Sequence, residues 1–274
     1  MKIVYRILAS QYYPLGYLCP YTSRAKILVQ ELWKSNHNWD EPIKKEEIKS
    51  SWLQWENELP SLSQITLPRC YNPVDVNTST VTRALHVFCD ASERIYGSVA
   101  YLRSEDNDSN VYVSFVAARS RVTPKKQLSM PRLELCAALS GAQLADTLLR
   151  ELNLPVTTLT LWSDSTTVLS WLHSDSCRYK VFVGTRILEI QTLTEVNQWH
   201  YVNRAENPAD DLTHDKQLTE LSDGSRWRDG PSFLSNPSEY WPTNLSTNPS
   251  VPAEDPTVLK KSSYTTELNA FWLN

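Results

Sequence analysis

"LHVFCDAS", residues 85–92, decides the fold, because it joins the pattern of a buried strand to an acid at its end. Val87, Phe88 and Cys89 form an apolar run that is typical of a buried strand. Asp90 ends this run at a place where a carboxylate is costly to bury. Two interpretations are open here: Asp90 either caps the following turn, as Asp often does, or points into a cluster of carboxylates that holds metal.

The segment 84–230 around this stretch alternates between strand and helix patterns. Three consecutive strands are predicted in ALHVFCDAS, GSVAYLRS and NVYVSFVAARSR, with Gly97 and SEDNDSN (104–110) supplying the turns. A long helix is predicted in MPRLELCAALSGAQLADTLLRELN, with Pro131 in its first turn. Next come a strand in TTLTLWSD, helices in STTVLSWLHS and VFVGTRILEIQTLT, a fifth strand in QWHYV and the loop NPADDLTH before a last helix. The pattern therefore predicts an α/β domain.

The regions on either side of this domain differ from it in composition. Residues 1–70 have a helical pattern, in which Thr22 and Ser23 are good N-cap types. An amphipathic stripe that indicates packing follows at Ile48, Trp52, Trp55 and Leu59. Residues 71–83 are polar and are predicted to be a linker. Residues 231–274 are rich in Pro, Ser and Asn and are predicted to form a disordered tail.

Composition and charge indicate a soluble globular protein without a global basic field. The chain has 274 residues, of which 41% are hydrophobic, and its net charge is −4. Any nucleic-acid contact must therefore come from a local patch, from bound cations or from other domains. The five cysteines have no zinc-site spacing and indicate a reduced intracellular setting. No apolar run of about 18 residues and no signal-peptide core is visible, so we expect an intracellular protein that is not secreted.

A second predicted strand also ends on an acid. Asp164 closes TTLTLWSD as Asp90 closes the first strand, and neighbouring strands would bring both acids to one end of the sheet. Glu134 is predicted in the first turn of the long helix, and Asp210 opens the last helix. At such positions the macrodipole alone favours acids by about 0.3–1 kcal/mol. Three further acids are interpreted as solvated charges without a role: Asp211, Asp215 and Asp146.

Four carboxylates on different elements suit metal binding better than acid–base catalysis, which needs only two. Carboxylates brought close together repel one another unless a cation neutralises them. Mg²⁺ prefers hard oxygen ligands. Two such ions roughly 3.5–4 Å apart can activate a water and stabilise the leaving oxygen in phosphodiester cleavage. The set therefore predicts a magnesium-dependent hydrolytic site.

The order of these strands, helices and acids resembles the ribonuclease H fold. Individual segments resemble the Pol polyprotein of BEL/Pao-type LTR retrotransposons: FCDASERIYGSVAYLR, VAARSRVTPKKQLSMPRLELCAALSGAQLA, LWSDSTTVLSWL and VNRAENPADDLT. Two earlier segments resemble its stretch between polymerase and ribonuclease H: YYPLGYLCPYTSRAKILVQELW and WLQWENELPSLSQITLPRC. The resemblance covers about residues 8–234. It implies a ribonuclease H-like five-stranded mixed sheet with flanking helices, preceded by a small helical connection segment that follows the reverse transcriptase core.

The resemblance also implies an activity, namely hydrolysis of the RNA strand of RNA/DNA hybrids by two-metal catalysis. The implied catalytic and metal-binding residues are Asp90, Glu134, Asp164 and Asp210, with Asp210 preferred over Asp211 because NPAD is the matching block. The implied cofactor is Mg²⁺, with Mn²⁺ as a substitute. The implied partners are the hybrid and the remainder of the Pol polyprotein (reverse transcriptase and integrase), with no membrane. The implied location is the cytoplasm, in a retroelement particle, or the nucleus.

Two positions depart from the family pattern. A His often stands in the loop before the last Asp, where this chain has Arg204, and the usual Arg-Gly after DDLT is His214-Asp215, which puts a phosphate contact in question.

Basic and hydroxyl side chains near the long helix are candidates for nucleic-acid contacts. A phosphate-facing patch or a solvated basic loop is formed by Arg119, Arg121, Lys125, Lys126 and Arg132. Ser165 and Thr166 either cap a helix or contact the nucleic-acid backbone.

Two other functions stay open. A catalytically weak or inactive Pol remnant would act as a nucleic-acid or Pol-binding module, and loss of the polymerase half would weaken its hybrid binding. An aspartic peptidase of the Pao element needs Asp-Thr/Ser-Gly. Here "DAS" and "DST" lack the glycine, and "SDGS" (222–225) stands in a polar loop without a flanking apolar strand.

Overall fold

The sheet lies at the centre of the molecule in a computed structural model that describes residues 2–11, 13–35, 37–68, 70–71, 81–243 and 258–259. The strands are β1 (Thr82–Ala91), β2 (Ile95–Glu105), β3 (Val111–Val122), β4 (Thr158–Ser163) and β5 (Trp199–Tyr201). Their order is β3-β2-β1-β4-β5. The first three strands pair antiparallel, whereas β4 runs parallel to β1 and β5 runs parallel to β4. The predicted α/β class and five-stranded mixed sheet are confirmed.

Helices cover both faces of this sheet. They are α1 (Lys2–Ser10), α2 (Cys19–Lys34), α3 (Glu46–Glu58), α4 (Met130–Glu151), α5 (Thr166–Leu172), α6 (Val181–Leu193), α7 (Asp210–Thr213) and α8 (Arg226–Asp229). None of the helices in the described ranges is long and apolar enough to cross a membrane. All five cysteines are free thiols.

The alternation of side chains along β1 decides which face each residue joins. Val87 and Cys89 belong to the core under α4, α5 and α6. Phe88 belongs to the opposite core, which α2, α3 and α8 cover. Asp90 follows on the Phe88 face and is therefore directed towards α7, where Thr213 donates a hydrogen bond to it.

The N-terminal helices complete the cover of this second face. Tyr21 of α2 stacks on Trp55 of α3, with the ring centroids 4.7 Å apart. Each ring also bonds the other residue's backbone, from the Tyr21 hydroxyl at 2.7 Å and from the Trp55 indole N–H at 3.0 Å. Both rings share one apolar cluster with Phe115 of β3 and Trp227 of α8. The predicted connection segment therefore packs directly on the sheet.

The loop before α2 runs along the outer edge of β3. The Ala118 N–H of β3 donates to the Leu15 carbonyl at 2.8 Å. Gly16 has a φ of +78°, and a Cβ at this position would lie 1.9 Å from the Ala118 carbonyl oxygen. Glycine is therefore required for the loop to approach the strand this closely.

Two local predictions are wrong. Gly97 does not form a turn but lies inside β2 opposite Asp90, and the turn is made by residues 92–94. Thr22 and Ser23 do not begin α2, which starts at Cys19 with Pro20 in its first turn. Pro20 has no N–H to lose at that position, and Thr22 bonds back to the Leu18 carbonyl at 3.0 Å.

The predicted tail and linker also differ in part from the structure, since β1 begins at Thr82, inside the predicted linker 71–83. Within residues 231–243, Phe233 and Leu234 are buried in the core, and the Arg103 Nε–H donates to the Leu234 carbonyl at 2.9 Å. This part of the tail is anchored by the apolar side chains of Phe233 and Leu234. The mostly polar composition of residues 231–274 hides this local apolar pair. The remaining tail residues 244–257 and 260–274, and linker residues 72–80, lie outside the described residues.

Candidate active site

Two acids leave the sheet side by side. Strands β1 and β4 are parallel neighbours, and Cys89 stands opposite Ser163 in their register. Asp90, the last residue but one of β1, and Asp164, which directly follows β4, come next along these two strands. Both carboxylates therefore emerge at the same end of the sheet, as the repeated strand-end acid predicts.

Glu134 reaches this end of the sheet from the second turn of α4. Its Oε2 accepts a hydrogen bond from the Ser165 hydroxyl at 2.5 Å. The Ser165 oxygen also accepts from the Val168 N–H at 3.2 Å and so caps α5. Ser165 is buried and uses its hydroxyl inside the protein, which supports the capping interpretation. Thr166 is the first residue of α5 and is half-buried.

Helix α7 brings the fourth acid over the first. Asp90, Asp210 and His214 each offer an atom, and these atoms all lie within 4.8 Å of one another. Thr213, at the end of the same helix, donates to Asp90 Oδ2. Gly97 lies beneath this helix, and a Cβ there would lie 2.3 Å from the Arg119 carbonyl oxygen of β3 and 3.1 Å from Cδ1 of Leu212 in α7.

Asp211 differs from its neighbour Asp210 and is not solvated as predicted. It is buried, and Arg226 donates to both of its oxygens, at 2.9 Å and 3.1 Å. Lys216 lies 3.4 Å from the same carboxylate. On a short helix adjacent residues point in different directions, so Asp211 fixes the helix while Asp210 faces Asp90.

Burial and the charges of neighbouring acids disfavour the charged forms of Asp90 and Asp164. Burial raises the pKa of Asp90 to about 6, and the charge of Asp210 adds to this rise. Burial raises the pKa of Asp164 to about 7, and the charges of Asp90, Glu134 and Asp210 raise it further. The carboxyl of Asp164 is therefore close enough to all three other acids for their charges to raise its pKa. An all-oxygen cluster of this kind fits the donor preference of Mg²⁺.

Two residues that depart from the family pattern complete the site. Arg204 Nε donates to Asp210 Oδ1 at 2.9 Å, and its Nη2 lies 2.7 Å from His214 Nε2. A guanidinium has no acceptor, so His214 Nε2 accepts and its proton remains on Nδ1. That Nδ1 lies 2.9 Å from the Asp210 carbonyl. Both ring nitrogens of His214 are therefore engaged by protein groups next to Asp210.

The predicted basic patch divides into separate groups. Arg119 Nη2 donates to Thr147 at 3.4 Å in the C-terminal half of α4, away from Glu134. Lys125 donates to the Trp33 carbonyl at 3.4 Å, and Lys126 is exposed. The other two members are Arg121, which is exposed near the end of β3, and Arg132, which is half-buried on α4.

Sequence reasoning assigned no role to Arg226 or His214. The spacing of His214, four residues after Asp210 on a helix, was an available signal. For Arg226 no local signal exists, because it meets Asp211 only through the fold.

A family model described as Pao retrotransposon-like RNaseH-like domain matches residues 1–165, more than half of the chain. The matched region includes Asp90, Glu134 and Asp164, and it stops before Asp210. No curated protein sequence matches the chain.

Solved structures with a related arrangement are distant. The N-terminal RNase H domain of Rv2228c from Mycobacterium tuberculosis, fused to maltose-binding protein, is 15% identical over 50% of this chain and 93% of that chain, with a TM-score of 0.33. LC11-RNase H1 in complex with an RNA/DNA hybrid is 12% identical over 52% and 100%, with a TM-score of 0.33. The foamy viral protease-reverse transcriptase in complex with double-stranded DNA is 11% identical over 74% and 34%, with a TM-score of 0.37. Likenesses this distant do not bear on activity.

Proposed function

Because the chain belongs to the family of Pao retrotransposon-like RNase H-like domains, we propose that it hydrolyses the RNA strand of RNA/DNA hybrids. One observation carries the proposal: carboxylates from four elements converge at one end of the sheet. The four proposed ligands of divalent cations are Asp90, Glu134, Asp164 and Asp210. When bound among such acids, two Mg²⁺ or Mn²⁺ ions supply an activated water and stabilise the leaving oxygen of a phosphodiester.

The chain's own residues hold these ligands in place. Thr213 orients Asp90, and Ser165 orients Glu134. Arg204 holds Asp210 through Oδ1, while the Arg226 pair with Asp211 fixes the helix that carries it. Side chains that are fixed before the substrate arrives need no reorganisation during the reaction.

Protons compete with cations at Asp90 and Asp164. Burial raises the pKa of these carboxyls to about 6 and about 7, so both hold protons in acidic solution. A protonated carboxyl is a poor metal ligand, and cation binding must therefore release protons. The proposed activity accordingly increases as the pH rises through this range.

We also propose binding partners and a place of action for the chain. The partners are the hybrid and the remaining chains of a Pol polyprotein, and the site of action is inside the cell. The aspartic peptidase has no support from SDGS, because its Asp223 is exposed and pairs with Arg228 in a turn.

The test is cleavage of a labelled RNA/DNA hybrid by the purified chain in Mg²⁺ and in Mn²⁺. We expect Asp90→Asn to lower the rate by about a hundredfold or more, since metal-ion charge stabilisation contributes several kcal/mol. Asp215→Asn is the matched control, because this exposed acid pairs with Arg94 on the surface. Equal cleavage by wild type and Asp90→Asn would refute the assignment. Hybrid binding without any cleavage would favour the inactive remnant.

A further inference from the structure

Helices α4 and α6 carry two guanidinium groups that lie against one aromatic ring. The guanidinium carbons of Arg132 on α4 and Arg186 on α6 lie 5.7 Å and 3.7 Å from the centre of the Phe182 ring. Cation–π attraction holds each of them there. The ring therefore fixes two long, flexible cations in one small area.

No acid neutralises this pair within the part of the chain that the structure describes. Neither arginine forms an ion pair there, and the Nε of each is buried without a hydrogen-bond partner. Arg186 Nη1 donates to the nearby Phe182 carbonyl, at 2.8 Å, and the Arg186 side chain also hydrogen-bonds the Cys136 thiol, and neither partner carries a carboxylate charge. Glu189, the next acid along α6, instead accepts from Gln143 at 2.6 Å. Two like charges held together without a counter-ion cost free energy, which an anion would recover.

A third cation lies close to the pair. The charges of both Arg186 and Arg121 act on the Cys136 thiol, which stands one helical turn after Arg132 on α4. Arg121 is at the end of β3 and is exposed to solvent. The cluster is therefore open on one side and cationic on three elements.

The cluster flanks the carboxylates. Arg132 precedes Glu134 by two residues on α4, so the two side chains leave the helix in different directions about 3 Å apart along its axis. A helix is roughly 10 Å across, and successive phosphates of one strand are 3.4 Å apart along a duplex axis. A strand at the carboxylates therefore reaches the cluster within a few nucleotides.

We propose that Arg132 and Arg186, held on Phe182, form an anion site for a backbone phosphate of the nucleic acid, a few nucleotides from the phosphate that is cut. The inference rests on the proposed function and deepens it. Guanidinium groups bind phosphate through paired N–H donors. Such a contact positions the duplex without reading its sequence.

The test is the affinity for a labelled RNA/DNA hybrid, measured by fluorescence anisotropy in Ca²⁺ over a series of salt concentrations. We expect Arg132→Ala and Arg186→Ala each to weaken binding about tenfold and to lower the salt slope by about one. The matched control is Arg150→Ala, which removes the same charge from the far end of α4, where Arg150 pairs with Asp146 at 2.9 Å. Affinities that equal the control's would overturn the site.

Two further measurements separate binding from folding and from other anions. Arg186→Lys keeps the charge but loses the paired donors, so we expect an intermediate loss of affinity at an unchanged melting temperature. A full loss of affinity that follows a lowered melting temperature would assign Arg186 to packing and overturn the site. We expect inorganic phosphate at matched ionic strength to displace the hybrid from wild type more readily than from Arg186→Ala, because phosphate competes for the same N–H donors. Equal displacement from both chains would mean that the hybrid does not use this anion site, and the proposal would be wrong.

The outcome for this site is separable from that for catalysis. Cleavage by wild type, with Arg186→Ala binding as tightly as Arg150→Ala, would keep the nuclease and remove the anion site. Weakened binding by Arg186→Ala, with no cleavage by wild type, would keep the site and remove the nuclease. A wild-type chain that binds no hybrid would overturn the anion site as well.

Discussion

Asp90 and Asp164 are acids in surroundings that disfavour their charge, and this has a consequence for stability. Burial raises the pKa of both carboxyls, to about 6 and about 7, above the ordinary value of 3.8. Between pH 4 and pH 7 the folded chain therefore binds more protons than the unfolded chain. By linkage, the free energy of unfolding of the metal-free protein falls as the pH rises through that window.

Asp164→Asn removes one of these buried charges. We expect it to raise the free energy of unfolding at pH 8 by on the order of 2 kcal/mol, and to change little at pH 4, where the wild-type carboxyl is protonated. Urea unfolding in the presence of a chelator measures both values, with Asp215→Asn as the control. Identical curves for wild type and Asp164→Asn at pH 8 would contradict the raised pKa.

Arg204 acts as an internal counter-ion to Asp210, and its removal tests that role. Its guanidinium lies 2.9 Å from Oδ1 of Asp210, one of the proposed cation ligands. Because exposed ion pairs contribute about 0.2–1 kcal/mol, we expect Arg204→Ala to tighten Mn²⁺ binding by about two- to fivefold, as measured by electron paramagnetic resonance. Arg94→Ala is the control, because it removes the same charge from a residue that pairs with Asp215 at 2.9 Å. Equal Mn²⁺ affinities in the two variants would show that net charge alone matters.

At the scale of single residues, the acids of the site could be predicted from the sequence, but their hydrogen-bond and ion-pair partners could not. The strand-end positions of Asp90 and Asp164 are visible because each follows an apolar run. The different surroundings of Asp210, which faces Asp90, and of Asp211, which is buried against Arg226, could not be predicted. Two adjacent acids cannot be distinguished until the orientation of the short helix is known. The ion pair of Asp211 with Arg226 joins distant parts of the chain, and no local pattern records it.

At the scale of elements, α4 approaches β1 closely because residue 141 is glycine. A Cβ at Gly141 would lie 2.2 Å from the Cys89 sulfur, one residue before Asp90. We expect Gly141→Ala to lower the free energy of unfolding by about 1–3 kcal/mol through overpacking. Adding Cys89→Ala should recover part of this loss, because it removes the sulfur. Urea unfolding of the two single variants and the double variant measures the coupling, and strictly additive losses would contradict the contact.

Elements with several periods of hydrophobic pattern were predictable, and short ones were not. The long helix α4 buries one face, β3 is partly buried, and β1 is an apolar run that is buried on both faces of the sheet. Gly97 was assigned to a turn because glycine often breaks strands. Its role inside β2 depends on the Arg119 carbonyl of β3 and on Leu212 of α7, contacts that only the folded chain brings together.

At the scale of the whole molecule, the N-terminal helices and the sheet share one core. Trp55 is fully buried between them. We expect Trp55→Ala to cost about 3–5 kcal/mol, whereas Leu53→Ala, at an exposed position of the same helix, should cost little. Tryptophan fluorescence and far-UV circular dichroism should report one shared unfolding transition in wild type. Two separate transitions would mean that the helices fold independently of the sheet.

The loop that crosses the edge of β3 has a consequence beyond packing. An outer strand of twelve residues offers unpaired backbone groups to any other strand, and such edges promote aggregation. Here the Ala118 N–H donates to the Leu15 carbonyl, and Gly16 lets the loop lie close against the strand. The loop before α2 thus covers part of an edge that another strand could otherwise pair with. A bulky residue in place of Gly16 would uncover the edge, and copies of the chain would then be able to join strand to strand.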